Sequence, residues 1–163
     1  MKNIVWLASY PKSGNTWFRV FLSNYFEDKE EPVGLNELKK TSIASSPVEF
    51  EELTGLNPFE MYPDEVDLYR PDLYRAISNS ETCEDGFLFK KTHDAYTRNK
   101  DGKPLFPKDV SIATIYFIRN PLDVCVSYAN HESKSTERLL EFILNEKSYL
   151  SGKRSGQLRQ ILL

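Results

Sequence analysis

Ile4-Val5-Trp6-Leu7-Ala8 runs without a break into Ser9-Tyr10-Pro11-Lys12-Ser13-Gly14 and then into Asn15-Thr16-Trp17-Phe18. The first five residues are continuously apolar and are bounded by turn chemistry, which is how a strand buried in a parallel sheet reads. Asn15 or Thr16 can cap a helix whose interior is Trp17 to Phe26. Apolar residues surround most of that helix, which predicts a well-buried element. The acidic stretch Glu27-Asp28-Lys29-Glu30-Glu31 and then Pro32 end it. A strand, a glycine-bearing turn and a helix N-terminus in succession offer backbone N–H groups and partial positive charge to an anion. Lys12 adds a full charge, so this loop reads as a phosphate cradle.

Two further strands follow. Gly86 to His93 is one candidate and ends in Lys91-Thr92-His93. Ile112-Ala113-Thr114-Ile115-Tyr116-Phe117-Ile118 is the clearest, and stops at Arg119-Asn120. Pro121 opens a helix, where proline is tolerated at the first position, and that helix runs to about His131. Another helix fits Thr136 to Lys147, with Leu139, Leu140, Ile143 and Leu144 on one face. Residues 32–85, with Pro32, Pro47, Pro58, Pro63 and Pro71, read as short helices joined by proline-led turns. Strands alternating with helices imply an α/β domain with a parallel sheet. Such sheets bind ligands at the carboxyl ends of their strands. The ends after Ala8, after Lys91 and at Arg119 therefore gather the chemistry on one edge.

The composition bounds what that edge can serve. The chain has 163 residues, enough for one compact domain over 1–163, and its net charge is −3. That balance argues against broad nucleic-acid binding, which needs a basic surface. The two cysteines, Cys83 and Cys125, are far apart and read as reduced thiols with at least one in a core. No apolar run approaches a membrane span, and the apolar start is too short for a leader, so no membrane is expected and the cytoplasm is the expected compartment. Asp64, Glu65 and Asp67 read as a solvated helical face, with neither His nor a calcium-loop glycine beside them. Trp6 reads as core, Tyr128 as packing, and His131 as structural or exposed.

The Walker A spacing is absent, since Lys12 precedes Gly14 and no earlier glycine exists. The strongest strand ends in Arg119 where an ordinary nucleoside triphosphatase would carry a magnesium-binding Asp. Three motifs instead resemble the cytosolic-type sulfotransferases. Tyr10-Pro11-Lys12-Ser13-Gly14-Asn15-Thr16-Trp17 is similar to their YPKSGTTW loop, and Lys91-Thr92-His93 to their KTH segment. Ile118-Arg119-Asn120-Pro121-Leu122-Asp123-Val124 with Ser127-Tyr128 resembles their RNPxDxxVSYY segment, and all three occur in family order. Asn15 stands for the family's usual Thr, and Asp94-Ala95 stands where members often carry Leu-Pro.

The resemblance implies a P-loop-like three-layer α/β fold and a sulfotransferase that uses 3′-phosphoadenosine 5′-phosphosulfate (PAPS) without a metal. It implies that Lys12 sits on the 5′-phosphosulfate with donors from Ser13, Gly14, Asn15 and Thr16, and that Trp17 stacks on adenine. It further implies that Arg119 and Ser127 hold the 3′-phosphate, that His93 is the general base, and that Lys91 touches the transferring group. The acceptor would be a hydroxyl or amine on a small molecule or carbohydrate, bound partly by residues 32–85. Family members continue beyond the position of Leu163 with an RKGxxG loop, which Lys153-Arg154-Ser155-Gly156 does not match. The expectation is an N-terminal portion, incomplete in fold, with an uncovered apolar face inviting self-association. Two alternatives stand beside an active transferase: a non-catalytic nucleotide-binding remnant and, less favoured, a P-loop kinase.

Overall fold

Strand β1 (Ile4–Ser9) forms the centre of a four-stranded parallel sheet, and all six of its residues are buried. It is followed by α1 (Asn15–Glu27), β2 (Thr41–Ile43), α2 (Pro47–Thr54), α3 (Pro63–Ser80), β3 (Leu88–Thr92), β4 (Ser111–Phe117), α4 (Pro121–Glu132), α5 (Thr136–Leu144), and the short β5 (Tyr149–Leu150) and β6 (Gln160–Ile161). The computed structural model describes residues 2–27, 30–34, 38, 41–80, 86–145, 148–150, 158 and 160–161. The strand order is β2-β3-β1-β4, and β5 and β6 form a separate antiparallel pair.

Register sorts the side chains onto two faces. Trp6 lies opposite Lys90 on one side and Thr114 on the other, and Ala8 opposite Thr92 and Tyr116. This face packs on α2, α3 and the loop before β4, where Trp6 meets Tyr74 of α3 and Phe106 of the loop edge-on at 5.0 and 4.7 Å. Val5, Leu7 and Ser9 point the other way with Phe89, Lys91 and Phe117. Helix α1 covers that side: Phe18 contacts Phe117, and Phe26 contacts Phe89. The result is a three-layer α/β arrangement that fits the P-loop-like expectation. No helix among the described residues is long and apolar enough to cross a membrane.

Helix α1 departs from its expected burial. Its buried residues are Asn15, Arg19, Leu22 and Ser23, while Trp17, Phe21 and Tyr25 are exposed at 72%, 49% and 70%. The polar face turns inward because it has partners there. Asn15 Nδ2 donates to the Leu7 carbonyl at 2.8 Å, and Arg19 Nε donates to the Thr41 carbonyl at 2.8 Å. The outward aromatics stack on one another at the i, i+4 spacing, Trp17 on Phe21 and Phe21 on Tyr25. Asn15 also lies inside the helix; the carbonyl of Gly14 accepts its first bond, from Phe18 N.

Residues 32–85 also depart from a string of short helices. They hold β2 and the 18-residue helix α3, which carries Pro71 in its interior. Proline there removes the bond to the Asp67 carbonyl. That oxygen accepts from Asn99 Nδ2 at 3.3 Å, which helps α3 run through. Helix α5 ends at Leu144, short of Lys147, which lies outside the described residues together with Cys83 and the stretch 151–157. Cys125 is a buried free thiol and Tyr128 packs among Tyr10, Phe142 and Leu139. Beyond β1, Ile112 and Tyr116 of β4, Ile118 just after it, and Leu122 and Val126 of α4 are exposed.

Candidate active site

The site begins where β1 stops. Lys12 has φ 65° and Gly14 φ 99°, so the chain curls twice within three residues. Left-handed turns this close form a concave row of backbone N–H groups suited to an anion. Gly14 is needed for that φ and not for space, since a Cβ there would meet nothing within 4 Å. Lys12 adopts the left-handed region without being glycine, a conformation that costs of the order of 1 kcal/mol and is often kept at functional sites. The N–H groups of Asn15, Thr16 and Trp17 precede the first helical bond and have no partner within α1.

Strands β3 and β4 flank β1, and their ends complete a cleft of about 960 Å³. Its lining includes Lys12, Gly14, Asn15, Thr16, Trp17, Lys91, His93, Arg119 and Ser127. These are the residues to which the three motifs assign site roles, except that Ser13 is not in the lining. Arg119 Nη1 donates to the Lys12 carbonyl at 3.0 Å, tying the end of β4 to the loop after β1. The remaining N–H groups of that planar fork can meet a phosphate. Asn15 reaches the cleft with its side chain turned inward to Leu7 and Ser9, which leaves its backbone N–H for an anion. Period-two alternation separates the neighbouring lysines. Lys90 is buried toward α2 and pairs with Glu49 at 3.1 Å, while Lys91 faces the cleft.

His93 is buried one residue past the last β1–β3 pair, Ala8↔Thr92. Its Nδ1 lies 2.7 Å from the Ser9 carbonyl and 3.2 Å from Ser9 Oγ. A carbonyl oxygen only accepts, so Nδ1 carries the proton. The other nitrogen, Nε2, then holds a lone pair, as a proton acceptor must. Asn15 Nδ2 donates to Ser9 Oγ at 3.1 Å, linking the anion loop to the histidine through one serine.

A family model described as the sulfotransferase domain matches residues 2–154. The chain belongs to the sulfotransferase family. This makes it a transferase of sulfuryl groups as a class. No match was found among curated proteins.

Electrostatics in this sulfotransferase follow from crowding cations at the strand ends. Burial, then Arg19 and Lys12, lower the pKa of Lys91 to about 8. Burial, then Lys91, lower that of His93 to about 4, so the imidazole is neutral at pH 7. Arg19 is a buried cation that the sequence did not single out; its one signal is the i+4 spacing from Asn15 on a helix otherwise rich in aromatics. Ser9, Arg70 and Asp94 were missed for the same reason, since their partners are distant in sequence. His131, Glu132 and Lys134 also line the cleft, with His131 exposed as expected. Among the described residues no group of three or more His, Cys, Asp or Glu could hold a metal ion.

Proposed function

We propose that this sulfotransferase takes PAPS as donor and passes its sulfuryl group to a hydroxyl or amine of a small-molecule or carbohydrate acceptor. The observation that carries the reading is the convergence of Lys12, Lys91, His93, Arg119 and Ser127 on one cleft at the carboxyl edge of the sheet. The donor set suits a polyanionic nucleotide: a helix N-terminus and Lys12 for the 5′ end, and the Arg119 fork with the Ser127 hydroxyl for a 3′-phosphate. When bound, PAPS supplies a sulfuryl group already activated on its 5′-phosphate. His93 Nε2 takes the proton of the acceptor as the acceptor oxygen or nitrogen bonds to sulfur. Lys91 and Lys12 stabilise the charge that grows on the departing phosphate as the bridging S–O bond breaks. Trp17, at the cleft and 72% exposed, offers a face for adenine. Residues of the stretch 32–85 would help to shape the acceptor side.

Arg119→Ala tests the nucleotide half of this reading. A charge-assisted hydrogen bond contributes roughly 1.5–3 kcal/mol. The variant should bind 3′-phosphoadenosine 5′-phosphate at least about tenfold more weakly, with little change for adenosine 5′-phosphate. Calorimetric titration of both ligands decides it: equal losses would remove Arg119 from the 3′-phosphate.

Binding should also take up protons. A polyanion beside Lys91 favours its charged form and raises its pKa above about 8. The complex then holds more protons than the free protein near pH 8, so affinity falls as pH rises through 8 to 9. Titration at pH 8 in buffers of different ionisation enthalpy should give an uptake of up to about half a proton, lost in Lys91→Met. Zero uptake would place the nucleotide away from Lys91.

A further inference from the structure

The geometry points to Asp94, held by Arg70, as the positioning residue that fixes His93 in its proton-accepting form. The inference rests on the reading of His93 as the base, and it concerns residues that lie on the opposite side of the sheet from the cleft. The β1–β3 register ends at Ala8↔Thr92, so His93 stands just past the regular ladder. Side chains close the turn there instead. Thr92 Oγ1 donates to Asp94 Oδ2 at 3.0 Å and accepts from Asp94 N at 3.0 Å, so the residues on either side of His93 are tied to each other. Arg70 then anchors the turn to α3, with Nη2 2.6 Å from Asp94 Oδ2 and Nη1 3.2 Å from Asp94 Oδ1.

The anchor is itself held. Arg70 Nε and Nη2 donate to the Tyr74 hydroxyl at 3.1 and 2.9 Å, and Nη1 reaches Asp67 at 3.2 Å. Arg70 and Asp94 are 1% and 0% exposed, so the fork has little freedom to swing toward solvent. Thr92 and Asp94 turn toward α3, and His93 between them is driven to the other face, where Nδ1 meets the Ser9 carbonyl at 2.7 Å. Because that contact assigns the proton to Nδ1, a turn that shifts by a fraction of an ångström loosens the tautomer as well as the position. Misplacement of about 1 Å can cost about a hundredfold in rate. Asp94 touches no reacting atom; it acts through the histidine.

The test uses the full chain with ¹⁵N-labelled histidine. Its two histidines are told apart by His131→Gln. The wild type should show the Nδ1–H pattern for His93. Arg70→Met/Asp94→Leu exchanges the pair for apolar side chains and is chosen to keep the fold. In it, His93 should drift toward the Nε2–H form that free imidazole favours in water, and its pKa should rise toward the ordinary value. The kcat for sulfuryl transfer should fall about 10- to 100-fold, with 3′-phosphoadenosine 5′-phosphate affinity within about twofold of wild type. A folded variant that keeps the pure Nδ1–H form overturns the inference, whatever its rate. A changed tautomer with unchanged kcat overturns it too. If the tautomer changes but no protein transfers sulfuryl, wild type included, the clamp stands and the reading of function falls. Should the double variant not fold, Asp94→Asn, which keeps the size and removes the charge, is judged by the same two readouts.

Discussion

His93→Ala should lower the rate of sulfuryl transfer by about 10²–10⁴ while leaving nucleotide affinity nearly unchanged. A base acts on the acceptor proton in the transition state and adds little to ground-state binding of the donor. His93→Asn sharpens the test, because its amide can still donate to the Ser9 carbonyl yet offers no basic nitrogen. It should be as slow as the alanine variant and more stable. The pH profile carries a second signature. In the free protein, burial and then the Lys91 charge hold His93 at about 4. The acid limb of kcat/KM for the donor should therefore lie far below the ordinary histidine range. In the donor complex the added negative charge offsets Lys91, so the acid limb of kcat should lie higher. Turnover near wild type in either variant would remove His93 from the chemistry.

The same depressed pKa has a stability consequence with a definite sign. Unfolded His93 titrates near 6.5 and the folded group near 4, so the unfolded chain binds more protons between those values. Stability from this group is complete above about pH 6.5 and is lost as pH falls toward 4. Two and a half pKa units set an upper bound of roughly 3 kcal/mol.

What could be read from the sequence is what local chemistry encodes. The apolar run Ile4–Ala8, the turn around Gly14 and the Pro121 helix start each depend on neighbours in the chain, and each forms an element near its expected bounds. The cleft was legible because strand ends in a parallel sheet share an edge, so motifs far apart in sequence meet. The facing of α1 was not legible. Aromatic residues at 17, 21 and 25 look like a core stripe, yet the buried stripe is polar apart from Leu22. Asn15 and Arg19 find carbonyls on β1 and β2, partners that only the tertiary fold supplies. Strand β2 has three residues, too few to show alternation. Pro71 signals a helix end, and the Asn99 side chain that helps to accommodate it stands 32 residues from the carbonyl it bonds. The Arg70–Asp94 pair spans 24 residues, and neither residue carries a local mark of burial.

Arg70→Ala should be among the most damaging single substitutions in the protein, at about 3–5 kcal/mol. The loss is not the worth of the ion pair. Removing the guanidinium leaves the Asp94 carboxylate 0% exposed without its principal counter-charge, and opens a void beside Tyr74 and Asp67. The reverse change, Asp94→Ala, should cost less, because Arg70 keeps Asp67 and the Tyr74 hydroxyl. Exchanging both charges for apolar side chains removes the desolvation cost together with the attraction, so Arg70→Met/Asp94→Leu should lie within about 1–2 kcal/mol of wild type. For a chain of this size, 3–5 kcal/mol lowers the melting temperature by roughly 6–20 °C. The acid dependence separates a stranded charge from a simple cavity. Without Arg70, taking up a proton relieves the cost of keeping the Asp94 carboxylate charged in the core. The folded variant is then stabilised by acid at this site and loses that stability as the pH rises and the buried carboxyl gives up its proton. The gap between Arg70→Ala and wild type should accordingly narrow as pH is lowered from 7 toward 4.5, measured with both proteins in a His93→Asn background so that the histidine adds nothing to the difference. Denaturant titrations at both pH values measure it, and a gap that stayed constant would mean that lost packing, not the buried carboxylate, carries the cost.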